Sequence, residues 1–475
     1  MSVVKEYVLR TPPGGVKRYD HDALCDLLEV DDRSRVIFEQ GVGREAIVRV
    51  YPSNPLMTMR EISVDDLLMD ERGYVTLGVY YDGSPLRFRL FDPRTGNAQR
   101  GAVFGTTGAG KSRLVQAILA ACKRSGIVVH LADLKNGQSV PEAADHVATR
   151  VTTQYETILL LRGLVAEAER RMKAYAALGR SGFVIGDPDP LMYGIVDEAN
   201  RLLEKGAPFR DEAARLIKEL GRTGRSVGVG IIIAAQAGHL DELGGSDTLR
   251  AMLKEGEVIL LRWSSGMMQQ LVGDGLIPRG EALQPILKVV GRVRRIRRFN
   301  EPVSEDDDDV NSQGMLYHLT GPRPTSMART YTVGSIAPCR GHDPLILALY
   351  GDSAPPGEAI DLMAYVTEKE IQALHDADAA ADAADADDGG GGGGAAAPPR
   401  EAPQPDVTAM TTAQRILAAL PPGGMTEAEL LAALNDDGGR EVRRGTLRTT
   451  ISNLRNQGQL ARPDGTGRVT PTPAH

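Results

Sequence analysis

Apolar positions fall in short runs along most of the chain, and the character of those runs changes from one region to the next. Between residues 101 and 263, five runs read as buried strands: "GAVF" (101–104), "IVVHLAD" (127–133), "MYGIV" (192–196), "VGVGIIIAA" (227–235) and "EVILLRW" (257–263). They are short, β-rich and apolar on both faces, which suits strands covered on two sides. Helical periodicity separates them, most clearly in "RLVQAILAACKR" and "LRGLVAEAERRMKAYAALG". Strand alternating with helix predicts an α/β fold with a parallel sheet and helices on both faces.

The two ends differ from this middle. Residues 1–95 show short alternating segments such as "YVTLGVYYDG" and "LRFRLFD", which predict a small, mostly β domain. Residues 96–374 hold the α/β region, with 279–313 standing out as an insertion. Residues 375–407 contain Ala, Asp, Pro and six consecutive glycines, a composition that builds no core and predicts a flexible linker. Beyond it, 408–475 give three helical patterns. The second opens with Thr426 and Glu429 at capping-box spacing, and the third places Leu447, Ile451 and Leu454 on one face. "ARPDGTGRVTPT" then reads as a hairpin, so the order predicts a winged helix-turn-helix.

Composition narrows the setting. The formal net charge is −8, which argues against a protein that coats nucleic acid along its whole surface. Cys25, Cys122 and Cys339 are too far apart for a zinc motif or a disulfide framework, and suit a reducing compartment. The sequence offers neither a signal-peptide pattern nor an apolar run long enough to span a bilayer, so the expectation is a cytoplasmic protein.

"GTTGAGKS", Gly105 to Ser112, carries the chemistry. Gly105, Thr106, Thr107, Gly108, Ala109, Gly110, Lys111 and Ser112 fit the Walker A phosphate loop, between a strand and an amphipathic helix. Glycines let backbone N–H groups surround a phosphate at the positive end of the helix. Lys111 would reach the β and γ oxygens of ATP, and Ser112 would offer its hydroxyl to Mg²⁺. "LMYGIVDEAN" ends a strand in Asp197 and Glu198, expected to position Mg²⁺ and to activate water as general base. Gln236, at the end of another buried strand, would sense the γ-phosphate or simply cap the next turn. Arg222 and Arg225 read either as a finger toward a neighbouring subunit's nucleotide or as solvated helix-end arginines.

"GTTGAGKS", "HLADLK", "LVAEAERRMKAYAALG", "IVDEANRLL" and "GRSVGVGIIIAAQ", in that order, resemble the motor domain of FtsK/SpoIIIE-type DNA translocases over roughly residues 95–350. The resemblance implies a RecA-like P-loop ATPase of the ASCE type, assembled as a homohexamer that pumps double-stranded DNA with ATP. It assigns Lys111, Ser112, Asp197, Glu198 and Gln236 to the ATPase roles above and aligns Arg225 with the arginine before the sensor strand. Asp133 matches an acidic position without an assigned role. The short, membrane-free layout is similar to the TraB-type conjugative proteins of actinobacterial plasmids. The N-terminal domain would then meet a membrane or transfer-apparatus partner.

The C-terminal unit adds a DNA-reading face. Arg448, Thr449, Ser452, Asn453 and Arg455 lie opposite Leu447, Ile451 and Leu454, with Arg443 and Arg444 at the helix start and Arg468 on the wing. From Arg440 onward there are seven arginines against two acids. The leading expectation is therefore an ATP-driven DNA translocase in conjugation or other DNA movement. The alternatives are a P-loop nucleotide-switch regulator and a secretion-type ATPase of the same superfamily, which moves protein.

Overall fold

The computed structural model describes residues 4–11, 20–40, 45–236, 255–262, 283–290, 310–368 and 370, with scattered positions between 416 and 469. Contacts divide the chain into two units, Met1–Asp378 and Ala379–His475.

The first unit is organised by a ten-stranded sheet. Its parallel part comprises β8 (Arg100–Gly105), β9 (Val128–Asp133), β10 (Thr149–Val151), β11 (Met192–Asp197), β12 (Val229–Ala235) and β13 (Glu257–Leu261). Their spatial order is β10-β9-β11-β12-β8-β13, with every neighbouring pair parallel. All residues of β8, β9 and β12 are buried, which explains their largely apolar composition, with Arg100, His130 and Asp133 as buried polar exceptions. The helices that return the chain are α3 (Lys111–Arg124), α4 (Gln154–Ala177) and α6 (Arg210–Thr223). A Thr153–Glu156 capping box starts α4.

The stretch "AEAERRMKAYAALG" has a structural task in α4. Arg171 is buried, ion-paired with Glu167 one turn earlier, and its Nη1 donates to the carbonyls of Pro190 and Val227. Tyr175 donates its hydroxyl to Asp189 at 2.8 Å. Both contacts fasten α4 to the segments that lead into β11 and β12.

The region before residue 95 divides differently from the sequence expectation. Strands β4 (Tyr74–Tyr80) and β5 (Pro85–Arg89) belong to the main sheet, joined through β15 (Met327–Thr330) and β14 (Met315–His318) to β13, all antiparallel. The alternating pattern of β4 did mark a strand with one covered face. Its partner, β15, lies about 250 residues downstream, a distance that no local pattern discloses. Physically, the four antiparallel strands cover the edge that β13 would otherwise expose. The remaining N-terminal part is a three-stranded sheet, β1 (Lys5–Arg10), β3 (Glu45–Val50) and β2 (Val36–Gln40), with its own small core of Leu24, Cys25, Val36, Val48 and Val50.

Part of the expected insertion is described, and it packs against the body. Leu283 and Ile286 are buried, and Asn311 pairs through its side-chain amide with both backbone groups of Val290. "GRVRRIRRF" and "EDDDD" lie outside the described residues.

The second unit, taken by itself, has a helix at Glu427–Asp436 opened by the Thr426–Glu429 capping box. Leu447 and Ile451 are buried with Leu430, Leu434, Leu460 and Val469. Arg468–Val469 pairs antiparallel with Met425–Thr426. Arg443, Arg444, Arg448, Thr449, Ser452, Asn453 and Arg455 lie outside the described residues, as does the linker. Among the described residues no helix is long and apolar enough to cross a membrane.

Candidate nucleotide site

Residues 105–112 leave the C-terminal end of β8 and turn into α3. Gly108 and Gly110 take φ values of +72° and +101°, a region that L side chains rarely adopt. Gly110 is the N-cap of α3 and brings no side-chain cap, so the N–H groups of the first turn stay available to an anion. The loop is held from behind by the Gly314 N–H donating to the Ala109 carbonyl at 2.9 Å.

The carboxylates arrive from β11, two strands away. Asp197 ends that strand, and Glu198 follows at φ +55°, a left-handed turn in a non-glycine residue. The Lys111 ammonium donates to Asp197 Oδ1 and, at 3.1 Å, to Glu198 Oε1. The Gln236 amide, from the end of β12, donates to Glu198 Oε2 at 3.1 Å. Lys111, Asp197, Glu198 and Gln236 thus meet in one polar cluster, although 86 and 38 residues separate its bonded pairs. Lys111, Asp197 and Glu198 are all buried. Burial pushes the Asp197 carboxyl up from its ordinary value, against the pull of Lys111.

Asp197 Oδ2 is buried and has no hydrogen-bond partner among the described residues. An orphaned carboxylate oxygen beside a phosphate loop fits a cation ligand, and Ser112, in the first turn of α3, fits as a second oxygen ligand. Among the described residues no group of three or more His, Cys, Asp or Glu could hold a metal ion. Mg²⁺ at this place would therefore take its remaining ligands from nucleotide phosphates and water.

Asp133, which the sequence left without a role, organises a loop. Its carboxylate accepts from the N–H groups of Lys135, Ser139 and Val140 at 3.0–3.1 Å, directly beside Asp197 on the neighbouring strand. Arg225 lies at the opposite end of the sheet, just before β12, and is not brought to the cluster of its own chain; Arg222 is exposed nearby.

One residue was missed. Arg262 follows β13, and its guanidinium Nη2 donates to the Thr107 carbonyl at 2.6 Å. The Thr106 hydroxyl in turn donates to the Arg262 carbonyl. In sequence it is one arginine at the end of an apolar run, with no motif around it.

No family model matches the chain. In sequence it is similar to the ESX secretion system protein EccC of Thermomonospora curvata, at 29% identity over 196 residues, covering 37% of this chain and 15% of that protein. The solved cytoplasmic domain of that type VII secretion ATPase superposes with a TM-score of 0.43 at 20% identity, covering 64% of this chain and 34% of the other. The ESX-4 secretion system protein EccC4 of Mycobacterium tuberculosis is 27% identical over 228 residues, 43% of this chain and 18% of that protein. The pCW3 conjugation coupling protein TcpA, solved with ATPγS, gives a TM-score of 0.40 at 17% identity, covering 56% of this chain and 76% of the other. The chain spans less than a fifth of the length of the two curated relatives it matches.

Proposed function

We propose that the chain is an ATPase of the FtsK/SpoIIIE kind, with a RecA-like motor, and that it works on a polypeptide cargo as a secretion-type motor. The observation that carries the ATPase reading is the position of Glu198, held between the Lys111 ammonium and the Gln236 amide at the end of β11. In this arrangement Lys111 is engaged by carboxylates. The γ-phosphate of ATP competes for the same ammonium, and its arrival releases Glu198 Oε1 to accept a proton from water. Gln236 stays on Glu198 Oε2 and so couples the state of the base to β12. Mg²⁺, held through Asp197 and Ser112, would supply charge neutralisation of the phosphates.

The cargo reading is supported by the two curated relatives, both secretion-system proteins. It displaces duplex DNA, which the motif resemblance alone had put first. Assembly as a hexamer, with Arg225 of one subunit approaching the neighbour's nucleotide, belongs to the same proposal. So does a winged helix in the C-terminal unit.

The test is steady-state ATP hydrolysis by the full chain, wild type and Glu198→Gln, with and without long linear duplex DNA. Turnover in the wild type falls by about 10²–10⁴-fold in Glu198→Gln while ATP binding is kept, the range expected for loss of a general base. DNA leaves the wild-type rate unchanged. Retained turnover in the variant removes Glu198 as base; strong stimulation by duplex restores the DNA-translocase reading.

A further inference from the structure

The Arg262 side chain is a buried cation that meets no anion among the described residues. The residue is 4% exposed, and Nη2 is spent on a neutral carbonyl, that of Thr107. Nη1 is buried and has no hydrogen-bond partner among the described residues. Burial lowers its affinity for the proton, and no acid among the described residues offsets that effect. The other buried arginines among the described residues have more of their donors engaged: Arg100 leaves Nε without a partner but pairs with Glu255. Arg171 has Glu167, and Arg329 places its nitrogens on the carbonyls of Gln313, Leu56 and Asn311. A guanidinium left with a free donor in a dry place costs stability unless something negative completes it.

Position says what that is. β13 runs parallel to β8 with Leu261 opposite Gly105, so the next residue lies alongside the start of the phosphate loop. A Cβ added to Gly108 would meet Arg262 Nη2 at 3.5 Å, which puts the guanidinium against the loop itself. The carboxylates come from β11, on the other side of β8 with β12 between.

We propose that Arg262 is a phosphate ligand of the bound nucleotide, a second cation that grips the phosphate chain from the flank opposite Asp197 and Glu198. This rests on the reading of residues 105–112 as a nucleotide loop. Arg262 would act with Lys111, and its planar donors suit a phosphate better than a lysine would.

The experiment is equilibrium binding of ATP and of inorganic tripolyphosphate to the full chain, comparing wild type, Arg262→Gln, Arg262→Lys and Lys111→Ala. Trp263, the only tryptophan and the next residue in the chain, supplies the fluorescence signal, with calorimetry as the second readout. Urea unfolding without ligand checks that each variant is folded. Arg262→Gln keeps a donor for the Thr107 carbonyl but removes the charge. It is expected to weaken both ATP and tripolyphosphate by about 10- to 100-fold, the usual worth of a charge-assisted hydrogen bond. Arg262→Lys recovers part of the loss. Unchanged affinities in Arg262→Gln, with Lys111→Ala still losing ATP, would reduce Arg262 to a brace for the loop and overturn the proposal. Loss of ATP affinity with tripolyphosphate binding intact would also overturn it, by moving the contact to the base or sugar. Full ATP binding by Lys111→Ala would instead overturn the nucleotide-loop reading beneath it.

Discussion

Lys111→Met tests the polar cluster without any nucleotide present. The substitution keeps most of the side-chain volume and removes one charge from a buried set of one ammonium and two carboxylates. Asp197 is fully buried and Glu198 nearly so, and the described cation between them is Lys111. Removing one partner of a buried pair costs roughly 3–5 kcal/mol, because the remaining charge is left dry and unpaired. Here two carboxylates also lose the charge that separates them, so the upper part of that range applies. The assay is urea unfolding of the ligand-free chain at neutral pH in the presence of a chelator. The midpoint should fall by the equivalent of about 4–5 kcal/mol. In an Asp197→Asn background the same substitution should cost less by about 1–3 kcal/mol, a coupling that residues in direct contact show and distant ones do not. A wild-type midpoint for Lys111→Met, or purely additive effects in the double variant, would mean that Lys111 does not bridge the carboxylates in the free protein. The release of Glu198 by the γ-phosphate would then lose its basis.

Two further outcomes can be measured alongside this. Gly110→Ala forces an L residue to φ +101° and sets a Cβ 3.0 Å from the Gly314 nitrogen, which itself holds the loop. ATP affinity should fall at least about tenfold and stability by roughly 1–2 kcal/mol. Gly126→Ala is the control: its φ is also positive, at +70°, but a Cβ there meets nothing within 4 Å, so nucleotide affinity stays as it was. Comparable ATP affinities in the two variants would refute the argument. His130 is the second case. It is buried in β9 with Nδ1 beside the Thr149 hydroxyl, and burial brings its pKa down from 6.5 to about 4. Its folded pKa is depressed, so the unfolded chain takes up the proton first. The stabilisation is complete above pH 6.5, declines as pH falls and is gone below about pH 4, a total of about 3 kcal/mol. His130→Gln should flatten the pH dependence of the unfolding midpoint across that window. Parallel curves for variant and wild type would show that His130 is not held neutral.

The site was far more legible in the sequence than the architecture around it. Asp197, Glu198 and Gln236 follow continuous apolar runs, and a polar residue that closes such a run falls at the C-terminal edge of a parallel sheet, whereas Lys111 is marked by the glycine spacing of residues 105–112. The strand boundaries came within two residues for the same reason. What escaped was non-local. β4 and β5 carry a clear strand pattern, but their membership in the main sheet depends on Ala328–Tyr80 pairing, which alternation along β4 does not encode. Arg262 escaped because what distinguishes it is a buried donor with no partner among the described residues. A guanidinium with a missing partner is visible only once the surroundings are in place.

The cluster gathers residues at and just beyond the ends of β8, β12 and β11, which are consecutive in the sheet, with Lys111 opening α3 after the loop that leaves β8. Neighbouring strands lie about 4.8 Å apart whatever chain connects them. The approach of Lys111 to Glu198 is therefore set by two rows of backbone hydrogen bonds and the turn from β8 into α3, and not by the length of chain that joins them. The machine is thus indifferent to length and exacting about phase. A graft at the exposed Lys205–Gly206 turn could lengthen the polypeptide considerably and leave the geometry of hydrolysis alone. Deleting one residue inside β12 would move Gln236 by a strand step of about 3.3 Å and turn its amide to the other face of the sheet. Long additions to this chain can therefore be silent, and a single omission fatal.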